Sequence, residues 1–169
     1  MKLFGFILII ASSAVCALSY LEQKKERLET LRSFVLMLEL LKAELCENYC
    51  PFPELCERLS GKLNGKAEHF VKLLGLNLNF LGEKNLVCIW EESLKACDPG
   101  FKSGEYQSFV SLASILGKYD AEKQSEAIRQ SLAIFRDSIN LEAMEFPQLK
   151  RVSLGVSVSA GALFAILLV

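Results

Sequence analysis

Six cysteines are the residues of this sequence best suited to chemistry, because thiolates bind metals and form disulfides. Cys46, Cys50 and Cys56 lie close together, with three and five residues between them, which matches neither a CxxC nor a zinc-finger pattern. The single histidine, His69, lies on a polar helical turn and is expected at the surface. The spacing therefore predicts no metal site, and thiols in a reducing cytoplasm would pack as small core residues.

Other reactive side chains form no catalytic or cofactor-binding pattern. Gly61 and Gly65 are not followed by the Lys-Ser/Thr pair that completes a phosphate-binding loop. The adjacent carboxylates Glu91 and Glu92 fit a solvated helix face, and Trp90 fits a core position. The sequence therefore predicts neither an enzyme, nor a cofactor, nor a small-molecule substrate.

Two carboxylates, Glu39 and Glu44, stand in an otherwise apolar helical stretch and are the candidate partner-binding residues. They are five positions apart, so on an α-helix about 140° separates them around the axis. Both cannot face one narrow seam, and at least one should reach the flank of the domain. That flank would be either simply solvated or in contact with a partner.

Charge is absent from both ends of the chain. The 19 Lys+Arg and 20 Asp+Glu give a net charge of −1, which excludes a protein held on nucleic acid by its overall charge. Residues 3–21 and 152–169 carry no charge, and each is long enough for a membrane span of about 17–25 residues. We expect a transmembrane helix at 1–21, a domain at 22–151 and a second transmembrane helix at 152–169.

An alternative for the first apolar stretch is a signal peptide. Lys2 supplies a charged start, and Val15-Cys16-Ala17 resembles a cleavage site. The protein would then be exported, held by its C-terminal anchor, and expected to form disulfides among its remaining cysteines.

Basic residues beside the two spans predict the orientation. Lys24, Lys25 and Arg27 follow the first span, and Lys150 and Arg151 precede the second. Because cytoplasmic flanks carry the excess of Lys and Arg, the middle domain should be cytoplasmic.

The middle domain reads as helix throughout, without an alternating strand pattern. A long amphipathic helix from about Leu21 should end near Pro51, and helices follow near residues 53–59, 66–76, 85–96 and 105–116. The last helix should break or kink at Pro147 and bury one face, formed by Ile128, Leu132, Phe135, Ile139 and Leu141. We predict an all-α fold, a small antiparallel helical bundle flanked by the two transmembrane helices.

The turn before the last helix carries the clearest local signal. Gly117, after Leu116, can take the left-handed position that ends a helix. Asp120 can cap the next helix by accepting a backbone hydrogen bond.

Several motifs in order resemble the stage III sporulation protein AB family. The segment Leu41-Lys42-Ala43-Glu44-Leu45 is followed by the turn at Pro51, the tryptophan-bearing helix at Trp90, and Leu116-Gly117, Asp120 and Gln124, which match the pattern Leu-Gly-x-x-Asp-x-x-x-Gln. Cys50 stands where the family usually has threonine. The resemblance covers essentially the whole chain. The family's soluble part is similar to the cytoplasmic domain of the type II secretion inner-membrane F protein.

The resemblance implies a non-enzymatic platform of the mother-cell-to-forespore channel apparatus required for endospore formation. Such a protein would lie in the mother-cell membrane, facing the forespore. It would act with the cytoplasmic sporulation ATPase (protein AA) and other channel components. Without the resemblance, the residues fit a generic membrane-anchored helical adaptor equally well.

The flanking charges yield a test of topology. If both spans cross the membrane and the middle domain is cytoplasmic, both termini lie outside the cytoplasm. A reporter active only in the cytoplasm should be silent when fused after Val169, and its activity there would contradict the two-span arrangement.

Overall fold

The computed structural model describes the backbone of residues 2–47, 50–116, 118 and 120–168, and the side chains of residues 15, 19–45, 50–116, 118 and 120–144. Within this part the chain forms helices and turns but no strand, which confirms the all-α prediction. Contacts divide the chain into two compact units, Glu29–Ile139 and Met1–Leu28 with Asn140–Val169.

Six α-helices follow one another along the described residues. They are α1 (Lys2–Lys42), α2 (Phe52–Ser60), α3 (Gly65–Asn77), α4 (Leu86–Cys97), α5 (Ser103–Ile115) and α6 (Ala121–Leu168). A π-helical turn, Ala43–Glu47, extends α1, and a 3₁₀ turn, Leu78–Phe80, extends α3.

Proline and helix-capping residues set the boundaries of the short helices. α2 begins directly after Pro51. Proline is tolerated at the start of a helix because an N–H there would have no hydrogen-bond partner within the helix. The Oδ1 of Asn85 accepts a 2.8 Å hydrogen bond from the Cys88 N–H and caps α4. α4 ends at Asp98, whose φ of 43° is left-handed. The helices predicted near these positions are confirmed.

The turn into α6 confirms one predicted cap. The Oδ1 of Asp120 accepts a hydrogen bond from the Lys123 N–H at 3.4 Å, in the first turn of α6. The Gln124 N–H donates to the Asp120 carbonyl at 3.1 Å. Gly117, predicted to be left-handed, lies outside the described residues.

An aromatic cluster forms the centre of the unit Glu29–Ile139. The ring of Phe109 lies 5.0 Å from Trp90 and 5.2 Å from Phe70, measured between ring centroids. Phe34, Phe101 and Phe135 complete the cluster, which confirms the core position predicted for Trp90. Tilted and edge-to-face pairs of this kind add about 0.5–1.5 kcal/mol each beyond the burial of their area.

The inward face of α1 matches the predicted amphipathic pattern. Leu31, Phe34, Leu38 and Leu41 are buried at the expected helical spacing, and Met37 joins them.

The predicted core face of α6 is right as far as Ile139 and wrong at Leu141. Ile128 and Phe135 are fully buried, whereas Leu141 is 63% exposed. Leu141 lies two positions after Ile139, a rotation of about 200° that carries it to the opposite side of the helix.

A buried carboxylate occupies the next inward position of α6. Glu142 accepts hydrogen bonds from Lys24 at 2.7 Å and Arg27 at 2.9 Å, within the unit formed by Met1–Leu28 and Asn140–Val169. The pattern of apolar residues could not reveal this position, because its partners lie more than a hundred residues away.

Pro147 was predicted to break or kink the last helix; it does not end α6, which continues to Leu168, and the kink stays a prediction. A proline inside a helix removes one hydrogen bond, and the flanking turns can still continue. The side chains from residue 145 onward are not among those described.

Over the side chains that the structure describes, no helix has the length and apolar character needed to span a membrane. The spans predicted at 1–21 and 152–169 lie outside that part of the chain, apart from Val15 and residues 19–21.

The aromatic cluster generates a stability prediction. Phe109→Ala should lower the free energy of unfolding by about 3–5 kcal/mol, because it leaves a cavity among several rings. Denaturant unfolding of the full-length protein in detergent, followed by circular dichroism, measures this loss. The half-exposed Phe80 is the control, since Phe80→Ala should change the same quantity by about 0.5 kcal/mol or less. Equal losses in both variants would contradict the central place of Phe109.

Candidate protein-docking surface

The outward face of α1 carries Glu39, one of the two candidate partner-binding residues. Because Phe34, Met37 and Leu38 point into the core, Leu36 and Glu39 are left at the surface, 43% and 44% exposed. The prediction that at least one of the two carboxylates reaches the flank is therefore confirmed by Glu39.

Glu39 is paired across the bundle with a residue of α6. The Nη2 of Arg136 donates a 2.6 Å hydrogen bond to Glu39 Oε1, and the Arg136 side chain is itself 58% exposed. We call Leu36, Glu39 and Arg136 the α1–α6 flank. An exposed pair contributes only about 0–1 kcal/mol to stability, so its charges remain available to a partner at little cost.

Glu44 has a different environment, because it does not reach an exposed flank. It is buried, and its carboxylate accepts hydrogen bonds from Arg58 at 3.0 Å and from Lys62 at 3.5 Å. Glu44 lies in the π-helical turn that extends α1, seven positions after the buried Met37 and three after the buried Leu41. Its contacts connect the end of α1 to α2 and the turn that follows.

The guanidinium of Arg58 joins two carboxylates. It donates to Glu54 at 2.7 Å as well as to Glu44. These hydrogen bonds, Glu54 first and then Glu44, raise the pKa of Arg58. Arginine is charged at any physiological pH with or without this shift, so Arg58 can donate to both carboxylates throughout that range.

The motif residues that carry the sequence resemblance have structural positions. Pro51 precedes α2, Trp90 lies in the aromatic cluster, and the buried Leu116 follows α5. Asp120 and Gln124 form the first turn of α6. These residues begin, end or pack helices, and the structure does not bring them together into one site.

Burial governs the chemistry of the described cysteines, which are free thiols. Cys50, Cys56 and Cys97 are buried and Cys88 is exposed. Burial raises the pKa of Cys56 to about 11, and burial also raises the pKa of Cys97. A buried thiol with a raised pKa carries little of the nucleophilic thiolate at neutral pH. Cys16 and Cys46 lie outside the described side chains.

No metal cluster is found in the described part of the chain. No group of three or more His, Cys, Asp or Glu side chains there could hold a metal ion, and His69 is exposed. A shallow groove of about 450 Å³ lies between α5 and α6, and no titratable side chain lines it. Its lining consists of Gly104, Gln107, Ser108, Ser111, Leu112, Ile115, Ala127, Gln130, Ser131 and Ile134.

These features define a class of protein: a helical bundle with an aromatic core, whose described ion pairs either connect helices or lie at the surface. The family model of stage III sporulation protein AB matches residues 2–169, and the chain belongs to that family. The family has a role in sporulation. The resemblance deduced from the motifs is thereby confirmed.

Comparison with solved structures gives the same fold. The chain is similar to the structure of a stage III sporulation protein AB (SpoIIIAB), with a TM-score of 0.64 and 21% sequence identity. The match covers 72% of this chain and 97% of that one, and at this identity it shows the fold alone. No curated protein matches the sequence.

Sequence reasoning did not find Arg136 as a component of the surface. Arg136 is 97 positions from Glu39 along the chain, and no local pattern links residues so far apart. The signal available was weaker: Arg136 directly follows the core residue Phe135, so it had to lie on another face of α6.

The two carboxylates should respond differently to charge reversal. Glu44→Lys places a third cation beside Arg58 and Lys62 in a buried position, and should cost about 1–3 kcal/mol of unfolding free energy. Glu39→Lys breaks only an exposed pair and should cost less than about 1 kcal/mol. Thermal melting of the two full-length variants in detergent measures the difference, and equal melting temperatures would contradict the burial of Glu44.

Proposed function

We propose that this protein is a non-enzymatic membrane platform of the mother-cell-to-forespore channel apparatus and acts with the cytoplasmic sporulation ATPase. Membership of the stage III sporulation protein AB family supports the setting. The likeness that the resemblance implies between the family's soluble part and the cytoplasmic domain of the type II secretion F protein supports the platform role. In this arrangement the bundle is cytoplasmic, and the apolar ends at 1–21 and 152–169 anchor it in the mother-cell membrane.

The observation that carries the proposal is the exposed Glu39–Arg136 pair. A platform binds through its surface, and the interior of this bundle is filled by aromatic rings. The α1–α6 flank offers an apolar side chain, Leu36, beside two opposite charges. Charges in such a position guide encounter and the choice of partner more than they add affinity.

An exchange of charges separates docking from stability. Glu39→Arg should reduce recovery of the ATPase with the membrane-extracted protein, by roughly tenfold if about 1.4 kcal/mol of binding is lost. The double variant Glu39→Arg/Arg136→Glu restores an ion pair with its direction reversed. It should melt like the parent and still recover little ATPase, because the partner would meet the wrong charges.

The matched control is Glu126→Arg. Glu126 is 46% exposed and pairs with Arg129 within α6, so it resembles Glu39 in exposure and pairing. This variant should recover the ATPase normally. If the double variant recovered the ATPase as well as the parent, Glu39 would serve only its own ion pair, and docking would lie on another surface. If the parent bound neither the ATPase nor another channel component, the platform role itself would fail.

A further inference from the structure

A second surface of the bundle exposes three large apolar side chains within six consecutive residues. Leu76, Phe80 and Leu81 are 66%, 51% and 58% exposed, at the end of α3 and in the 3₁₀ turn that follows. We call these three residues the apolar tip. A whole aromatic side chain has a surface of about 150–250 Å². At their exposed fractions, the three side chains of the tip together leave roughly 300 Å² of apolar surface in contact with water. Patches of this size on soluble proteins are often binding sites.

The backbone of the tip is held by hydrogen bonds. The carbonyl of Phe80 accepts hydrogen bonds from the N–H groups of Glu83 and Lys84, both at 3.1 Å, and the Leu81 N–H donates to Leu78 at 2.9 Å. Gly82 adopts a φ of 127°, which L side chains rarely take. A turn ordered in this way can present Phe80 and Leu81 to a partner without paying much of the entropy of ordering on binding.

A side-chain bond ties the start of the tip to α4. The Nδ2 of Asn77 donates a 2.9 Å hydrogen bond to Ser93, whose hydroxyl donates to the Ile89 carbonyl. Ser93 is fully buried, so this bond attaches the base of the tip to the core. Hydrogen bonds therefore hold the apolar tip in a fixed position on the fold.

The tip is too small to form a stable symmetric interface by packing against the same tip of a second copy. A stable interface buries about 800 Å² on each partner, whereas the tip offers roughly 300 Å². A small, rigid, apolar projection is instead suited to a preformed pocket, in the way that a few anchor residues dominate many interfaces.

The charges beside the tip indicate the kind of pocket. Lys84 is held by both oxygens of Glu92 at 2.7 Å, which neutralises its charge, and Glu83 adds an exposed carboxylate next to the tip. No excess of positive charge is present there to draw an anionic lipid surface. A protein pocket with a basic rim would complement Glu83 instead.

We propose that the apolar tip inserts into a concave apolar pocket, rimmed by basic side chains, on a protein partner of the sporulation apparatus. This contact is independent of ATPase docking at the α1–α6 flank, because the two surfaces share no residue. Leu76, Phe80 and Leu81 fill the pocket, and Glu83 faces its basic rim.

Photo-crosslinking of the full-length chain in sporulating cells tests this contact. With p-benzoyl-phenylalanine in place of Phe80, irradiation should yield an adduct with a different protein. Adding Leu76→Ser and Leu81→Ser should reduce the adduct at least fivefold, and so should Glu83→Lys alone. Glu83→Gln, which removes charge without reversing it, should reduce it less.

Leu141→Ser is the matched control, because Leu141 is equally exposed, at 63%, but belongs to α6. It should leave the adduct unchanged. An adduct at twice the mass of this chain would assign the tip to self-association, and an adduct with lipid would assign it to the membrane. An adduct that persists in the serine variants or in Glu83→Lys, or no adduct from a correctly inserted chain, would equally overturn the proposal.

Discussion

The packing of aromatic rings around Phe109 is the interaction on which the bundle depends. Five helices each contribute one buried ring: Phe34 from α1, Phe70 from α3, Trp90 from α4, Phe109 from α5 and Phe135 from α6. Because every ring touches rings from other helices, moving one helix disturbs several contacts at once. Such a core resists small changes in volume and holds the helices in one arrangement.

Because aromatic rings fill the centre of the bundle, charged side chains lie in other parts of it. In the described part of the unit Glu29–Ile139, the buried carboxylates Glu44 and Glu105 lie at helix ends, not among the rings. α2 contributes no ring to the cluster, and in addition to burying Leu55 and Leu59 it is held through Arg58 to Glu44. The Glu44 carboxylate thus helps to hold α2, which the aromatic cluster does not reach.

Much of the fold followed from local chemistry. Pro51, Asn85 and Asp98 each act within a few residues of themselves, so the helix boundaries near them could be predicted. Leu141 was chosen because it is apolar, although it lies two positions after Ile139 and the helical period favours Glu142 instead. Glu142 and Glu44 are both buried where basic side chains from elsewhere in the chain pair with them, and no local pattern shows those partners. The pairing of Glu39 with Arg136 was likewise invisible, because it joins residues far apart in the sequence.

The same type of side chain therefore serves two purposes, and burial distinguishes them. Glu142 and Glu44 are removed from water and each accepts hydrogen bonds from two basic side chains, so losing either carboxylate would remove an acceptor from two cations at once. Glu39 shares a single hydrogen bond with an exposed arginine, and water can replace either partner at little cost. Because the Glu39 charge contributes little to the stability of the fold, it is available for contact with a partner. In the proposed platform, recognition would come from such residues and from exposed apolar side chains held by an ordered backbone, because aromatic rings fill the interior of the bundle.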